Sequence, residues 1–342
     1  FRLRGFGNAL ISAGHSFVFW DSSRIPAYDV FDEYEPDIFI GTTFDLDNQT
    51  IRCIKERPLM KVILKGSNYG PSNIRIDPNK YPIVMAKEAE IKTIQKLKEE
   101  TGKPDFVFCH YHPNRLEETM SGWDEIGIKS VALMNAADIT EYYQGTFRKE
   151  LESDISFVGG YWPYKAENLD KYLTPLYSEV GKYNIKIWGN QAWYIPQYLG
   201  ITQDSLVKDI YASAKICPNI SEPHSLVFGF DVVERPFKIM SAGGFCLMDK
   251  VDSALFDVFT CEGLCEWYDE NNFEQRILKW LPEEKHRKEV AKRGQNFVYA
   301  NHTYHHRTHD MLIALGLEKE AKEIMSNYYV YYYKGLNDEL AI

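Results

Sequence analysis

Short apolar runs that alternate with helically spaced segments constrain this chain more than any other feature. In the first half the runs are Ser16–Trp20, Asp37–Gly41, Lys61–Leu64, Ile83–Met85, Phe106–Cys109 and Ser130–Met134. Each closes in polar or glycine-rich residues, as strands do when loops at their C-terminal ends carry the ligand contacts. Between them lie helical segments such as Ala86–Thr101, where Ile91, Ile94 and Leu97 recur in three-residue steps. The alternation restarts with Ile155–Val158, Asn184–Trp188, Lys215–Cys217 and Phe245–Met248. Helices are expected at Asn168–Tyr183, Leu206–Ser213, Arg235–Ser241, Phe273–Leu281 and Glu283–Ala300. Strand–helix alternation of this kind predicts an α/β fold of parallel sheets. We place the domains at 1–148, 149–310 and a C-terminal helical segment at 311–342, with the break in the polar stretch Tyr143–Ser153. The chain opens on helical pattern near Gly7–Ala13, so a first strand upstream of Phe1 is expected.

Composition excludes several classes. The 342 residues are 44% hydrophobic and 26% charged, values of an ordinary globular protein rather than a disordered or fibrous one. No apolar run is long enough to span a bilayer, and the opening residues lack a secretory pattern. The formal charge of −10 argues against general binding to a phosphate backbone. Six scattered cysteines read as reduced thiols in a cytoplasm; Cys261 and Cys265, with three residues between them, lack the second pair or nearby His that a zinc site needs. Aromatics reach 14%, either as core or as stacking platforms for sugars or bases.

The most informative stretch is Tyr211–Asp249, which reads as helix, strand, long loop, helix, Gly-Gly turn and strand. The second helix starts near Glu234-Arg235-Pro236, with proline where a missing N–H costs nothing. Free amides at a helix N-terminus beside a cation suit a diphosphate. Arg235 and Lys238, three apart, share a helical face and are expected to meet one anion. Gly243-Gly244 allows the tight turn into the next strand.

These residues resemble the nucleotide-sugar-binding domain of GT-B glycosyltransferases, in the CgeB-like (spore maturation protein) branch. That branch has a strand ending in Asn, then Arg-x-Phe-Glu-Ile-x-x-x-Gly and an apolar strand ending in Asp; Asn219, Arg235, Phe237, Ile239, Gly243 and Asp249 match. Its closing His-Thr-Tyr-x-x-Arg segment is matched by His302–Arg307. Lys238 stands where the branch carries the Glu expected to hold the donor ribose; Glu234 is a candidate replacement. The resemblance implies two Rossmann-like domains facing an interdomain cleft, with C-terminal helices crossing back. The first domain would take the acceptor and the second a nucleotide sugar, UDP-linked by preference. It further implies retention of anomeric configuration, as in the family-4-like group, and no metal or other cofactor.

Further donor-side candidates are Gly159 and Gly160 after the first strand of the second half, and Trp188, Gly189 and Asn190 after the next; Trp188 reads equally well as core. On the acceptor side, His110 or His112 would serve as a general base if the enzyme inverts. At most one of them points inward if the chain is extended there. Asp138, with Asn135, lies at an equivalent strand end, as does Lys65–Asn68. Asp45-Leu46-Asp47 reads as a solvated loop. His302, His305, His306 and His309 fall on one helical face; bracing reads better than metal binding. The reading is a glycosyltransferase whose acceptor hydroxyl belongs to a glycan, a protein or a hydroxymethylated DNA base. The alternatives are a non-catalytic nucleotide-sugar-binding or coat protein and a GT-B-fold nucleotide-sugar epimerase.

Overall fold

The computed structural model describes residues 2–71, 85–177, 181–228 and 232–333. The chain divides into two compact units: the residues up to Met134 with Thr308–Met325, and Asn135–Arg307 with the residues from Ser326 onward.

The first unit contains α1 (Arg2–Ser12), α2 (Ala27–Tyr34), β1 (Ile38–Thr42), α3 (Asn48–Lys55), β2 (Lys61–Lys65), α4 (Glu88–Thr101), β3 (Phe106–Cys109), α5 (Leu116–Glu125) and β4 (Ser130–Ala132). Its four strands pair in parallel in the order β1-β2-β3-β4. Every residue of β3 is buried, as expected for a strand covered on both faces. Helix α4 presents Ile94 and Leu97 to the sheet, where they join Val62, Leu64, Val107 and Trp123 in one apolar core. Asp45-Leu46-Asp47 is not a free loop. Asp45 accepts from the Thr42 amide at 2.7 Å, and Asp47 caps α3 by accepting from the Thr50 amide at 2.7 Å.

The expected strand Ser16–Trp20 does not form. A strand needs a ladder partner, and no described residue pairs with this segment. It lines a cleft of about 1760 Å³ together with the outer edge of β1. The Lys61 amide donates to the Asp37 carbonyl at 2.8 Å, so the odd-numbered residues of β1 face β2 and the main chain of Ile38 and Ile40 faces away from it. Of the expected run Ile83–Met85, residues 83 and 84 lie outside the described residues; Met85 bridges Asn68.

The second unit holds β5 (Ser153–Val158), α6 (Pro163–Tyr177), β6 (Ile185–Trp188), α7 (Asp204–Ser213), β7 (Ala214–Asn219), α8 (Pro223–Phe228), α9 (Glu234–Ser241), β8 (Cys246–Asp249), α10 (Ala254–Cys261), β9 (Glu266–Tyr268), α11 (Phe273–Trp280) and α12 (Glu284–Asn301). Helix α13 (Tyr304–Ala314) carries the chain from the second unit's residues into the first unit's, and α14 (Glu318–Asn327) follows. The second sheet is parallel, in the order β6-β5-β7-β8-β9. The chain goes from β5 outward to β6 on one side and then returns to β7 on the other. The switch point therefore lies between β5 and β7, and open α/β sheets bind ligands beyond the C-terminal strand ends at such a point. No described helix is long and apolar enough to cross a membrane.

Candidate functional site

Three segments meet where β5 and β7 end. The first is the turn after β5, Gly159-Gly160; the second, the end of β6 with Gly189; the third, the first turn of α9 with Arg235. The glycines are there because nothing larger fits. A β-carbon on Gly189 would stand 2.1 Å from the Gly159 carbonyl oxygen, and one on Gly160 2.6 Å from the Asn190 side-chain oxygen. The Gly159 amide donates to the Trp188 carbonyl at 2.8 Å, and the Trp193 indole donates to the Gly159 carbonyl at 3.0 Å, which fixes the turn.

Arg235 spans the switch point. Its Nε donates to the Val158 carbonyl on β5 at 3.2 Å, and its Nη1 to the Asn219 side-chain oxygen at 2.9 Å and the Ile220 carbonyl at 3.2 Å beyond β7. The guanidinium lies 4.6 Å from the Phe157 ring centroid, a cation–π contact. Nη2 has no hydrogen-bond partner among the described residues. A β-carbon on Gly159 would come within 3.1 Å of it, so the glycine leaves that edge of the fork uncovered. A planar cation with one free edge, held at strand ends, is suited to a phosphate oxygen.

Lys238 has partners of its own, apart from those of Arg235. Its ammonium pairs with Glu234 at 3.0 Å and lies 4.4 Å from the Tyr142 ring centroid. Glu234 also accepts from the Tyr304 hydroxyl at 3.2 Å. A glutamate four residues before a lysine is the favoured helical ion-pair orientation, so this pairing was present in the spacing. Gly243 and Gly244 sit at the other end of α9, with Gly243 at φ +77°, and turn the chain into β8.

Asn219, fully buried, takes part in a network that the sequence motif marked only as a matching letter. Its amide donates to Asp249 at 2.7 Å; the Ser221 amide donates to the other Asp249 oxygen at 2.6 Å, and the Tyr268 hydroxyl to the Asn219 carbonyl at 2.7 Å. Burial pushes the Asp249 carboxyl up from 3.8 to about 6, against the downward pull of Ser221, Asn219 and Arg235. Trp188 is core: its ring packs with Leu151 and Ile210.

The acceptor-side candidates hold local roles. His110 follows β3, is buried, and places Nδ1 2.9 Å from the Leu133 carbonyl. His112 caps the short turn Pro113–Arg115 by accepting from the Asn114 amide at 3.3 Å. Asp138 belongs to the second unit, is buried and accepts from the Thr140 amide and hydroxyl at 3.1 and 2.7 Å. The histidine segment is also tied into structure: Arg307 donates to His302 at 2.5 Å, and the His305 and His306 rings flank buried Tyr328 at 5.0 and 5.2 Å. Burial drives the His305 imidazole down to about 3, so it stays neutral.

Residues 170–313, from α6 into α13, match the family model of glycosyl transferase-like domains. No curated protein sequence matches the chain. Among solved structures the fold is similar to sucrose-phosphate synthase from Thermosynechococcus elongatus, at a TM-score of 0.60 and 11% identity over 95% of this chain and 92% of that one. It is also similar to HepE from Anabaena, solved with UDP, at 0.54 and 10% identity over 85% and 81% of the two chains. An alpha-glucosyltransferase solved with UDP-glucose and DNA containing an abasic site scores 0.55 at 11% identity, over 82% and 80%. The fold is thus GT-B, built from two parallel α/β units. The part of the chain that matches the glycosyl transferase-like model covers β6 to β9 of the second sheet.

Proposed function

We propose that this protein is a glycosyltransferase that transfers a sugar from a nucleoside diphosphate donor, UDP-linked by preference, to an acceptor hydroxyl with retention of configuration, and that it belongs to the CgeB-like branch. The observation that carries the donor assignment is Arg235 bridging the ends of β5 and β7 with no hydrogen-bond partner for Nη2 among the described residues. There it would meet a phosphate oxygen of the donor, with the amide of Gly160 and the start of α9 nearby. Charge builds on the diphosphate as the bond to the anomeric carbon breaks, and a fixed guanidinium stabilises that charge without reorganising. Gly159, Gly160 and Gly189 shape the turn that lets the diphosphate approach. Glu234, held by Lys238 and Tyr304, is the carboxylate we assign to the donor ribose in place of the branch's usual Glu.

Under retention the departing diphosphate accepts the proton of the attacking hydroxyl. Neither His110, His112 nor Asp138 then has to act as a base, in keeping with their local structural roles. HepE was solved with UDP and the alpha-glucosyltransferase with UDP-glucose, which supports the choice of UDP. The net charge of −10 favours a glycan or protein hydroxyl over a base in duplex DNA. The cytoplasm is the compartment we assign to this reaction, from the reduced-thiol reading of the cysteines.

Incubation of the protein with UDP-glucose and related UDP- and GDP-sugars is expected to release free nucleoside diphosphate, slowly by hydrolysis when no acceptor is present. Intact binding with no release from any donor would instead favour a non-catalytic nucleotide-sugar-binding protein.

A further inference from the structure

We propose that Asp249 is a positioning residue for the donor: through Asn219 it fixes which way the Arg235 guanidinium presents its free edge. The inference rests on the donor assignment above and adds to it a residue that touches no substrate. A side-chain amide can face a neighbour with either its oxygen or its nitrogen, and the ionised Asp249, together with the Ser221 hydroxyl at 3.1 Å, holds the nitrogen of Asn219 on the side away from Arg235. An acceptor-only carboxylate at 2.7 Å demands the amide nitrogen, which turns the amide oxygen toward Arg235 Nη1 at 2.9 Å. Ser221 holds the carboxylate from its amide at 2.6 Å and its hydroxyl at 3.1 Å, so Asp249 itself cannot swing away. Tyr268 fixes the Asn219 main chain at 2.7 Å. All of these side chains except Arg235 are buried, so water does not substitute for a lost partner.

The groups facing Asp249 are Arg235 from α9, Tyr268 from β9, Tyr172 from α6 and Cys246 on its own strand. Burial holds Tyr172 up at about 12, and Tyr268 and Cys246 well above their ordinary ranges. Asp249 is thus the member of the network that changes protonation near neutral pH, at about 6. Protonated, it loses its charge, the charge-assisted bond from the Asn219 amide weakens, and the Asn219 oxygen that holds Arg235 Nη1 is less firmly placed.

Two physical effects of neutralising residue 249 have opposite signs. The long-range field alone would strengthen binding of a diphosphate, because a buried negative charge is removed. The positioning role weakens binding. Titration calorimetry with UDP-glucose, whose diester diphosphate keeps its charge throughout, separates them. For the wild type between about pH 8 and about pH 5, affinity is expected to fall as pH drops through about 6. Stability moves the other way for this group. Folding raises its pKa above 3.8, so the native state holds the proton more tightly and this contribution to stability grows as pH falls through about 6. A merely structural role would not produce weaker binding alongside that gain.

Asp249→Asn is expected to weaken UDP-glucose binding at about pH 8 by about tenfold, the size of one charge-assisted hydrogen bond, and to abolish the pH dependence. In an Arg235→Ala background it should have no further effect. Unchanged or tighter binding in Asp249→Asn, or a wild-type affinity flat or rising toward acid, overturns the positioning role while leaving the donor site standing. No binding by the wild type at any pH overturns the donor assignment and this inference together. The wild-type titration serves as the test should Asp249→Asn fail to fold.

Discussion

Replacing Arg235 with alanine is expected to lower affinity for UDP-glucose by about a hundredfold or more and to remove the thermal protection that UDP gives the wild type. The side chain makes three hydrogen bonds, to Val158, Asn219 and Ile220, and so bridges the C-terminal ends of the paired strands β5 and β7. Removing a hydrogen-bonded charge from such a site commonly costs about 2–5 kcal/mol, and about 2.7 kcal/mol is a hundredfold in affinity. Ligand at a hundred times its dissociation constant stabilises a fold by about 2.7 kcal/mol, and this is the increment that should vanish from the melting curve. Arg235→Lys should rescue little, because an ammonium cannot hold two carbonyls and an amide in one plane while leaving a donor free. Full protection by UDP in either variant would remove Arg235 from the donor site.

Gly189→Ala is the second large effect, and it acts through the backbone. The new methyl would lie 2.1 Å from the Gly159 carbonyl oxygen and 2.6 Å from its carbon, so the end of β6 and the turn after β5 must part. That separation breaks the bond from the Gly159 amide to the Trp188 carbonyl, 2.8 Å, and strains the one from the Tyr198 hydroxyl to the Gly189 carbonyl, 2.8 Å. A loss of about 3 kcal/mol in unfolding free energy is expected by denaturant titration. UDP-glucose affinity should fall as well, because the displaced turn is the one facing Arg235. A variant with wild-type stability and affinity would mean that the two segments have slack the geometry does not contain.

Much of the fold was legible because buried parallel strands leave contiguous apolar runs. Phe106–Cys109 and Ile155–Val158 read correctly for that reason, and α9 announced itself through Pro236 and the Gly243-Gly244 turn. Ser16–Trp20 reads equally well as a strand, but an apolar run becomes one only if a neighbour supplies a ladder, and sequence does not record neighbours. Lys238 carries a related lesson. Its charge suggested an anion, and the structure pairs it with the glutamate four residues earlier. Trp188 was ambiguous between pocket wall and core because one aromatic at a strand end serves either purpose. Asp249 was visible as a motif position and nothing more. Its contacts come from residues 219, 221 and 268, which only the strand order β7-β8-β9 brings together.

Diffusing UDP-glucose into crystals of the protein would test the central claim most directly. The diphosphate is expected at the C-terminal ends of β5 and β7, with an oxygen accepting a hydrogen bond from Arg235 Nη2. A nucleotide sugar bound elsewhere, with Nη2 uncontacted, would contradict the account.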